Sequence, residues 1–427
     1  MQRASGQFRF FARVCHEGSY VEAIIDHAQP DMSPPRHDLR RMLIPLGPVG
    51  VFGASNFPFA FSVAGGDVAS ALAAGCSVVV KAHPSHPETS QLTGQVIARA
   101  LATAGAPDGA FSLIQGRGTE VGGALVSDPG IKAVGFTGSL RGGRALYDLA
   151  AARPEPIPVY AEMGSVNPFF ITEAALIARG AAIAKAFTGS MTLGTGQLCT
   201  KPGLAFVPAG AAGDEFVASV IENAKGLEPG YLLNASLLNS LTAKVDGARK
   251  LTGVNVRTGG TLPDGSGFRY PATVVEVSGE TFTEVPELRE EYFGPFAMVV
   301  RYESLERLLE LVRLLAGNLT ATLHAEREET VDVADLVDML REKVGRLIWN
   351  GFPTGVAVTH AMVHGGPYPA TTIPLHTSVG STAMKRFLRP VAYQSYPEEL
   401  LPPALRDGNP LGILRLEDGK WVGGGLS

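Results

Sequence analysis

Hydrophobic and polar positions alternate with two different periods over the first third of the chain. Short runs of β-branched or aromatic residues lead into glycine-rich or polar loops, and these lead into apolar residues at helical spacing. The pattern predicts strands over 49–53, 77–80, 111–115, 132–136 and 157–161, and helices over 59–74 and 89–104. Because each parallel crossover needs a helix to return the chain, this repetition indicates a doubly wound parallel sheet with helices on both faces.

Polar residues follow the predicted strands at the points where the strands end. In open sheets of this type, ligands bind just beyond the carboxyl ends of the strands. The residues expected at that edge are Asn56, Lys81, 116–118, 137–139 and Glu162. Helix capping or simple solvation explains each of them equally well by itself. As a set, however, they favour a ligand-binding edge.

The second half of the chain alternates less regularly. The pattern predicts a helix over 174–190, a strand over 204–207 and an amphipathic helix over 305–315, which together indicate a second α/β domain. Residues 386–394 alternate like a strand, and the polar, proline-containing stretch 29–41 precedes the first predicted strand. We expect these two segments to pair as an exposed extension that is buried against another subunit.

Composition and charge narrow the function classes. Hydrophobic residues make up 45% of the chain and charged residues only 18%, against about 25% in ordinary soluble proteins, so we expect a folded, core-rich protein. The net charge is −5 and neither sign forms a block, which argues against a nucleic-acid surface. Apolar runs fall well short of the roughly 18 residues of a membrane span. We therefore expect a cytoplasmic protein that binds neither nucleic acid nor a membrane.

The three cysteines are too few and too scattered for a disulfide framework, which fits a reducing compartment. A lone cysteine is usually an inert core residue, and this explanation suits Cys15 and Cys76. Cys199 differs because Gly194 and Gly196, just before it, are poor choices inside a packed element. A nucleophilic cysteine needs access and a lowered pKa, and converging backbone N–H groups of such a loop provide both. Cys199 is therefore the candidate nucleophile.

Two further motifs carry little weight. The loop 116–122 follows a predicted strand and opens a helix, but its third glycine lies one position late for the dinucleotide-binding pattern. His360 and His364 are spaced like metal ligands on a helix, yet neither a carboxylate nor a cysteine lies nearby in the sequence. We predict an ordinary pair of loop histidines and no metal.

Six ordered blocks of the sequence resemble the signature blocks of the NAD(P)-dependent aldehyde dehydrogenase superfamily. The blocks are SNFP at 55–58, VVK at 79–81, FTGS at 136–139, EMG at 162–164, GQLC at 196–199 and EYFGP at 291–295. Within the family the chain is similar to bacterial α-ketoglutaric semialdehyde (2,5-dioxovalerate) dehydrogenases. That likeness covers nearly the whole chain and rests on 52–58, 81–87, 349–367 and 401–407.

The resemblance implies a catalytic mechanism. The Cys199 thiolate attacks the aldehyde carbon, and the Asn56 amide and the Cys199 backbone N–H hold the resulting oxyanion. A hydride leaves to the nicotinamide. Glu162 then activates the water that hydrolyses the thioester.

The same resemblance assigns cofactor contacts. Lys81 and Glu291 would hold the riboses, whereas Gly138, Ser139 and Phe293 would shape the pyrophosphate and nicotinamide ends.

The residues after Lys81 predict the cofactor preference. Relatives that prefer NAD often place a glutamate three residues after this lysine, where it repels a 2′-phosphate. Here that position is Pro84, and the first acidic residue downstream is Glu88. Lys81, His83 and His86 would supply hydrogen bonds or positive charge to a phosphate. A purely structural reading is that the prolines stiffen the loop and both cofactors are accepted. We predict that NADP is used at least as well as NAD.

Together these inferences predict an aldehyde dehydrogenase-like α/β protein that oxidises 2,5-dioxopentanoate (α-ketoglutaric semialdehyde) to 2-oxoglutarate as a homo-dimer or homo-tetramer. The predicted domains are 1–165 for cofactor binding, 166–385 for catalysis and 386–427 for the oligomerisation strand and tail. Residues 24–45 are a candidate part of the oligomerisation extension.

Three alternatives remain open at this point. The enzyme could oxidise another short semialdehyde or aldehyde. It could be a cofactor-independent cysteine acyltransferase or hydrolase, with His360 or His364 orienting Cys199. It could also be a non-catalytic form of the fold, because relatives usually carry roughly a hundred more residues before the SNFP block.

Overall fold

Three larger β-sheets and one two-stranded sheet organise residues 1–423, the part of the chain that the computed structural model describes. The first segment contains α1 (Gln2–Glu17), β1 (Ile24–Asp26) and β2 (Leu39–Pro45). Helix α1 forms because apolar residues recur along one face, and it ends at Gly18, whose φ of 81° is left-handed. In the described part of the chain, we find no helix with the length and hydropathy needed to cross a membrane.

Residues 49–162 form the first sheet, whose strands run parallel in the order β5-β4-β3-β6-β7. The strands are β3 (Val49–Phe52), β4 (Val78–Lys81), β5 (Phe111–Ile114), β6 (Ala133–Thr137) and β7 (Val159–Glu162). The helices are α2 (Gly66–Ala73), α3 (Pro87–Thr103), α4 (Gly118–Ser127) and α5 (Leu140–Ala151). Alternate strand residues belong to different apolar cores, Val51 and Val80 to one and Phe52 and Val134 to the other. The predicted doubly wound sheet is confirmed.

The helix predicted over 59–74 begins only at Gly66, so its predicted start is wrong. The preceding residues fold back on the end of β3, where the Ala54 N–H donates to the Phe61 carbonyl at 2.9 Å. The rings of Phe57 and Phe61 pack edge to face at 5.7 Å between centroids. This turn leaves Asn56 on a loop rather than at a helix start.

Residues 169–349 form the second sheet and its helices. The strands are β8 (Phe169–Ile171), β9 (Leu204–Pro208), β10 (Gly230–Tyr231), β11 (Asn255–Thr258), β12 (Arg269–Tyr270), β13 (Thr273–Ser278), β14 (Phe296–Tyr302), β15 (Asn318–His324) and β16 (Val344–Trp349). The helices are α6 (Glu173–Thr192), α7 (Ala211–Lys225), α8 (Ala235–Arg249), α9 (Gly279–Glu284), α10 (Leu305–Arg313) and α11 (Ala334–Arg341). The order is β11-β13-β14-β9-β8-β15-β16, with β11 antiparallel at one edge, while β10 pairs with β12 separately.

The remaining strands are β17 (Leu388–Gln394), β18 (Arg415–Glu417) and β19 (Lys420–Val422), and they complete a third sheet of order β17-β2-β1-β18-β19. The expected pairing of the two flanking segments is found, but its amino-terminal strand is 39–45 rather than 29–41. Residues 29–36 instead turn back on themselves through a bridge between Gln29 and Arg36. The domain boundaries at 165 and 385 remain predictions.

Candidate active site

Cys199 lies on a loop between α6 and β9 that depends on left-handed backbone geometry. Gly194, Thr195 and Gly196 have φ angles of 59°, 57° and 65°. A Cβ atom at Gly196 would overlap the carbonyl of Gly294, so only glycine allows the two backbones to approach this closely. The GQLC block at 196–199 and the EYFGP block at 291–295 are therefore in direct contact.

The structure brings Cys199, His364 and Glu162 into one hydrogen-bonded cluster. The Cys199 Sγ lies 3.4 Å from the His364 Nε2, which lies 3.0 Å from Glu162 Oε2. The Ser378 hydroxyl donates to the same Glu162 oxygen at 3.0 Å. His364 and Glu162 are buried, 1% and 3% exposed, so these contacts are shielded from water.

Glu162 ends β7, and the segment that carries His364 and Ser378 docks beside this strand. The N–H of Met163 donates to the Ala370 carbonyl at 2.7 Å, and Glu162 forms a β-bridge with Thr371. This docking positions residues distant in sequence around a single carboxylate.

The prediction that His360 and His364 form an ordinary loop pair is wrong for His364. Both lie on a loop, but the His360 ring packs against Phe10 at 5.0 Å between centroids, away from the thiol. Ligand atoms of Glu162, Cys199 and His364 all lie within 4.8 Å of one another, a spacing that a metal ion could also use. The absence of a metal stays a prediction.

The electrostatics of the cluster differ from the sequence-based expectation of an acidic thiol. Burial and then the Glu162 carboxylate raise the pKa of Cys199 well above its ordinary value. Burial alone would raise the pKa of Glu162, but the His364 ring and the hydrogen bonds from His364 and Ser378 outweigh it and lower that pKa. The resting cluster therefore pairs a protonated thiol with an ionised carboxylate.

Two asparagines fix the backbone around Cys199. The Asn56 Nδ2 donates to the Gln197 carbonyl at 2.8 Å, which places this amide beside the cysteine loop with a second N–H to offer. The Asn167 Nδ2 donates to the carbonyls of Cys199 at 2.8 Å and Lys201 at 3.0 Å. The Asn167 contacts hold the Cys199 peptide in one orientation; the sequence reasoning missed this residue.

Lys81 ends β4 and is 4% exposed, and burial lowers the pKa of its ammonium group. Burial, followed by His86 and Lys81, lowers the pKa of His83 to about 4. The His83 Nδ1 accepts a hydrogen bond from the Ser85 N–H at 3.2 Å. Of the two roles expected of His83, a hydrogen bond or positive charge, the lowered pKa favours the hydrogen bond.

Gly138 and Ser139 connect β6 to α5. A Cβ at Gly138 would approach the Phe136 ring to 2.6 Å, and the Ser139 hydroxyl caps α5 by accepting from the Gly142 N–H at 3.1 Å. Both residues are exposed, so the amino terminus of α5 is open to solvent. The amino end of a helix attracts anions because its N–H groups and dipole point outward.

Glu291 and Phe293 lie in the loop that contacts the cysteine segment, and both are half-buried. Burial raises the pKa of Glu291, while the Lys201 ammonium opposes that rise. Burial lowers the pKa of Lys201 to about 8, and its Nζ donates to the carbonyls of Tyr292 at 3.0 Å and Phe296 at 2.9 Å. Lys201, which sequence reasoning missed, thus ties the cysteine segment to the Glu291 loop.

Lys81, the open amino terminus of α5 and Glu162 thus all lie at the carboxyl edge of the first sheet, and Glu162 also belongs to the cluster with Cys199. The family model described as "Aldehyde dehydrogenase family" matches residues 1–368, and the chain belongs to this family. It is an enzyme that oxidises a small aldehyde to the acid with a nicotinamide cofactor. Family membership argues against the cofactor-independent acyltransferase or hydrolase.

Curated relatives are similar over almost the whole chain. Identity is 48% over 419 residues with alpha-ketoglutaric semialdehyde dehydrogenase 2 of Azospirillum brasilense, covering 98% of this chain and 80% of the relative. Identity is 45% over 418 residues with alpha-ketoglutaric semialdehyde dehydrogenase of Acinetobacter baylyi, covering 98% of this chain and 79% of the relative.

Solved structures share the fold. A 3,6-anhydro-L-galactose dehydrogenase in complex with NAP is 24% identical with a TM-score of 0.77, covering 92% of this chain and 78% of that one. Lactaldehyde dehydrogenase from Escherichia coli is 24% identical with a TM-score of 0.76, and the match covers 92% of this chain and 77% of that one.

Proposed function

We propose that the enzyme oxidises 2,5-dioxopentanoate to 2-oxoglutarate and uses NADP at least as well as NAD. The observation that carries this substrate is the identity of 45% to 48%, over nearly the whole chain, with two enzymes named for α-ketoglutaric semialdehyde. Another short semialdehyde is the alternative substrate.

The proposed first half-reaction begins when the Cys199 sulfur adds to the aldehyde carbon and its proton passes to the His364 ring. The 3.4 Å contact between the Cys199 Sγ and the His364 Nε2 supports this route. The second N–H of Asn56 and the backbone N–H of Cys199 stabilise the oxyanion. When bound, the nicotinamide accepts the hydride that leaves the substrate carbon.

In the proposed second half-reaction, Glu162 removes a proton from the water that attacks the thioester on Cys199. The acid is released and the thiol is restored. Glu162→Gln should therefore release about one equivalent of reduced cofactor per site, seen at 340 nm in stopped flow, and then stall. Ser378→Ala, which removes a hydrogen bond but leaves the carboxylate, should still turn over. Loss of the burst in Glu162→Gln would place Glu162 in acylation instead.

We assign the cofactor contacts by position. Lys81 at the end of β4 and Glu291 would bind the ribose hydroxyls. Gly138 and Ser139 would let the pyrophosphate approach the amino terminus of α5. Phe293 would lie against the nicotinamide end.

The preference for NADP rests on the loop after β4. Pro84 stands where a repelling carboxylate would lie, and Lys81 and His83 can donate hydrogen bonds to a 2′-phosphate. Pro84→Glu should lower kcat/KM for NADP by about tenfold or more and affect NAD less, because one charge-assisted contact is worth about 1.5–3 kcal/mol. The control is Leu92→Glu, which adds the same charge at an exposed position of α3. A tenfold preference of the wild type for NAD would contradict the proposal.

The substrate is tested by steady-state oxidation of 2,5-dioxopentanoate, succinate semialdehyde and pentanal with both cofactors. The highest kcat/KM is expected for 2,5-dioxopentanoate. A higher value for succinate semialdehyde would identify the alternative substrate, and no turnover with any aldehyde would support the non-catalytic form.

We also propose a homo-dimer or homo-tetramer assembled through the third sheet. Its outer strands β17 and β19 each have one neighbour among the described residues, so each offers a free edge. Sedimentation velocity of the purified chain would measure the assembly, and a monomer at micromolar concentration would overturn the proposed oligomer.

We also propose a cytoplasmic location, with which the three free cysteines are consistent.

A further inference from the structure

Arg3 lies near the catalytic cluster, although no step of the proposed reaction uses it. Its guanidinium carbon is 5.1 Å from the centroid of the Phe61 ring. The Phe61 ring is in turn 6.0 Å from the His364 ring, which contacts the Cys199 sulfur. Arg3 is therefore separated from the nucleophile by only two side chains, in the first turn of α1.

The Arg3 side chain is half-buried, and two of its donor atoms have no acceptor in the described part of the chain. Its Nε and Nη2 atoms are both shielded from solvent, and neither has a hydrogen-bond partner among residues 1–423. No carboxylate of the described residues forms an ion pair with it. Burial lowers the pKa of Arg3, and the Cys199 sulfur partly opposes that change. Two shielded guanidinium donors without acceptors are unfavourable unless an anion reaches them.

A second arginine, Arg346 on β16, lies near the segment that carries His364, because its Nη1 is 3.8 Å from the Sδ of Met362. Arg346 donates from Nη2 to the Pro353 carbonyl at 2.7 Å and from Nη1 to the Gly355 carbonyl at 3.3 Å. Its Nε is buried and has no partner within the described chain. The Cys199 sulfur also influences the pKa of Arg346, which burial lowers. Two half-buried guanidinium groups thus lie near His364, Arg3 across the Phe61 ring and Arg346 beside Met362.

We propose that Arg3, assisted by Arg346, binds the carboxylate at the end of the substrate opposite the aldehyde. This inference rests on the proposed function, because it requires an aldehyde that carries an acid group. The two adjacent donors Nε and Nη2 of Arg3 match the two oxygens of a carboxylate in a forked arrangement. The carboxylate satisfies the buried donors, whereas a neutral aldehyde of equal length leaves them unpaired. The pair therefore selects acidic semialdehydes over neutral aldehydes.

The test compares 2,5-dioxopentanoate with pentanal, a neutral aldehyde with the same number of carbons. Arg3→Met retains the packing on Phe61 but removes the donors. It should lower kcat/KM for 2,5-dioxopentanoate by about 100-fold or more, mainly through KM, and leave kcat/KM for pentanal within about threefold. Arg346→Met should show the same selectivity with a smaller loss. Arg3→Lys should recover only part of the activity, because a lysine supplies charge without the fork.

Arg9→Met is the matched control on the same helix. Arg9 donates only a 3.4 Å hydrogen bond to Ser5 at an exposed position, so both substrates should be unaffected. Glutarate, an unreactive dicarboxylate, should inhibit the wild type competitively and inhibit Arg3→Met at least tenfold more weakly. Circular dichroism confirms that each variant is folded.

The outcomes separate the two proposals. A wild type that oxidises pentanal as efficiently as 2,5-dioxopentanoate defeats the proposed function itself. A wild type that prefers the acid, combined with an Arg3→Met variant that loses both substrates equally or neither, overturns the role of Arg3. Equal losses for both substrates in Arg346→Met alone would overturn the role of Arg346.

Discussion

At the residue scale, the thiol of Cys199 is held in its protonated form by its surroundings. Burial and the adjacent Glu162 carboxylate raise its pKa, and His364 connects the two groups. The chain therefore requires a proton acceptor beside the sulfur rather than a permanently ionised thiol.

Cys199 should be the only essential thiol. Cys199→Ala should abolish aldehyde oxidation, measured at 340 nm, because it removes the sulfur that lies beside His364. Cys76 is 4% exposed, and its Sγ hydrogen-bonds the Phe387 carbonyl at 3.4 Å. Cys76→Ala should keep activity and lower the free energy of unfolding by about 1 kcal/mol. Ordinary turnover by Cys199→Ala would refute the mechanism.

The reactivity of Cys199 should depend on pH through Glu162. Because the Glu162 carboxylate disfavours the thiolate, Glu162→Gln should lower the midpoint of the alkylation rate against pH by about one pH unit or more. Iodoacetamide labelling, with Cys199 identified by peptide mass spectrometry, measures this rate. Ser378→Ala keeps the charge and should move the midpoint much less. An unchanged midpoint in Glu162→Gln would show that burial alone sets the pKa of Cys199.

At the element scale, the turn between α6 and β9 decides where the Cys199 thiol lies. Three successive left-handed residues, 194–196, bring the cysteine segment against the backbone at Gly294. The glycines of the local sequence indicate this turn, but the backbone that it contacts, at Gly294, lies about a hundred residues further along the chain.

Gly196→Ala should move the cysteine loop, because its Cβ would overlap the Gly294 carbonyl. An error of about 1 Å in a catalytic group costs about 100-fold in rate, so we expect kcat to fall by at least that factor. Gly194→Ala is the control, because Gly194 has the same left-handed backbone conformation as Gly196 but open space where a Cβ would lie. It should mainly lower the free energy of unfolding, by about 1–2 kcal/mol. Equal losses of kcat in both variants would show that the left-handed backbone conformation, and not the overlap with Gly294, causes the loss.

At the scale of the whole molecule, the third sheet joins the two ends of the chain. Strand β2 pairs with β17 across seven residues, and β1 pairs with β18. The Arg40 guanidinium, 7% exposed, donates to the Leu405 carbonyl at 2.7 Å and to Asp407 and Asp38 at 2.8 Å and 3.0 Å. This single side chain therefore connects β2 to the carboxyl-terminal tail.

Arg40→Ala should weaken this connection and lower the free energy of unfolding by about 2 kcal/mol, because it removes charge-assisted hydrogen bonds from a buried site. Urea denaturation followed by circular dichroism measures the change. The neighbouring Arg41→Ala loses only a 3.7 Å ion pair with Glu22 and should stay within about 0.5 kcal/mol of the wild type. A stable Arg40→Ala variant would show that strand pairing alone holds the extension.

Local patterns were sufficient to predict much of the fold. The periods of two and 3.6 residues predicted the five strands of the first sheet to within two residues at each end, because a strand buried on both faces requires a short apolar run. The start of α2 was predicted wrongly, since the turn at Phe57 and Phe61 depends on packing against the end of β3.

The sequence by itself determined the family, the doubly wound sheet and the identity of Cys199, Glu162 and Asn56 as candidates, because motifs and periodicity are local properties of the chain. Only the tertiary structure decided that His364, 165 residues from Cys199, contacts its sulfur and that Arg3 lies behind Phe61. It also decided that the pKa of Cys199 is raised rather than lowered. The physical reason is that burial and the approach of distant charges arise when separate segments pack together, and no local pattern records which segments will meet.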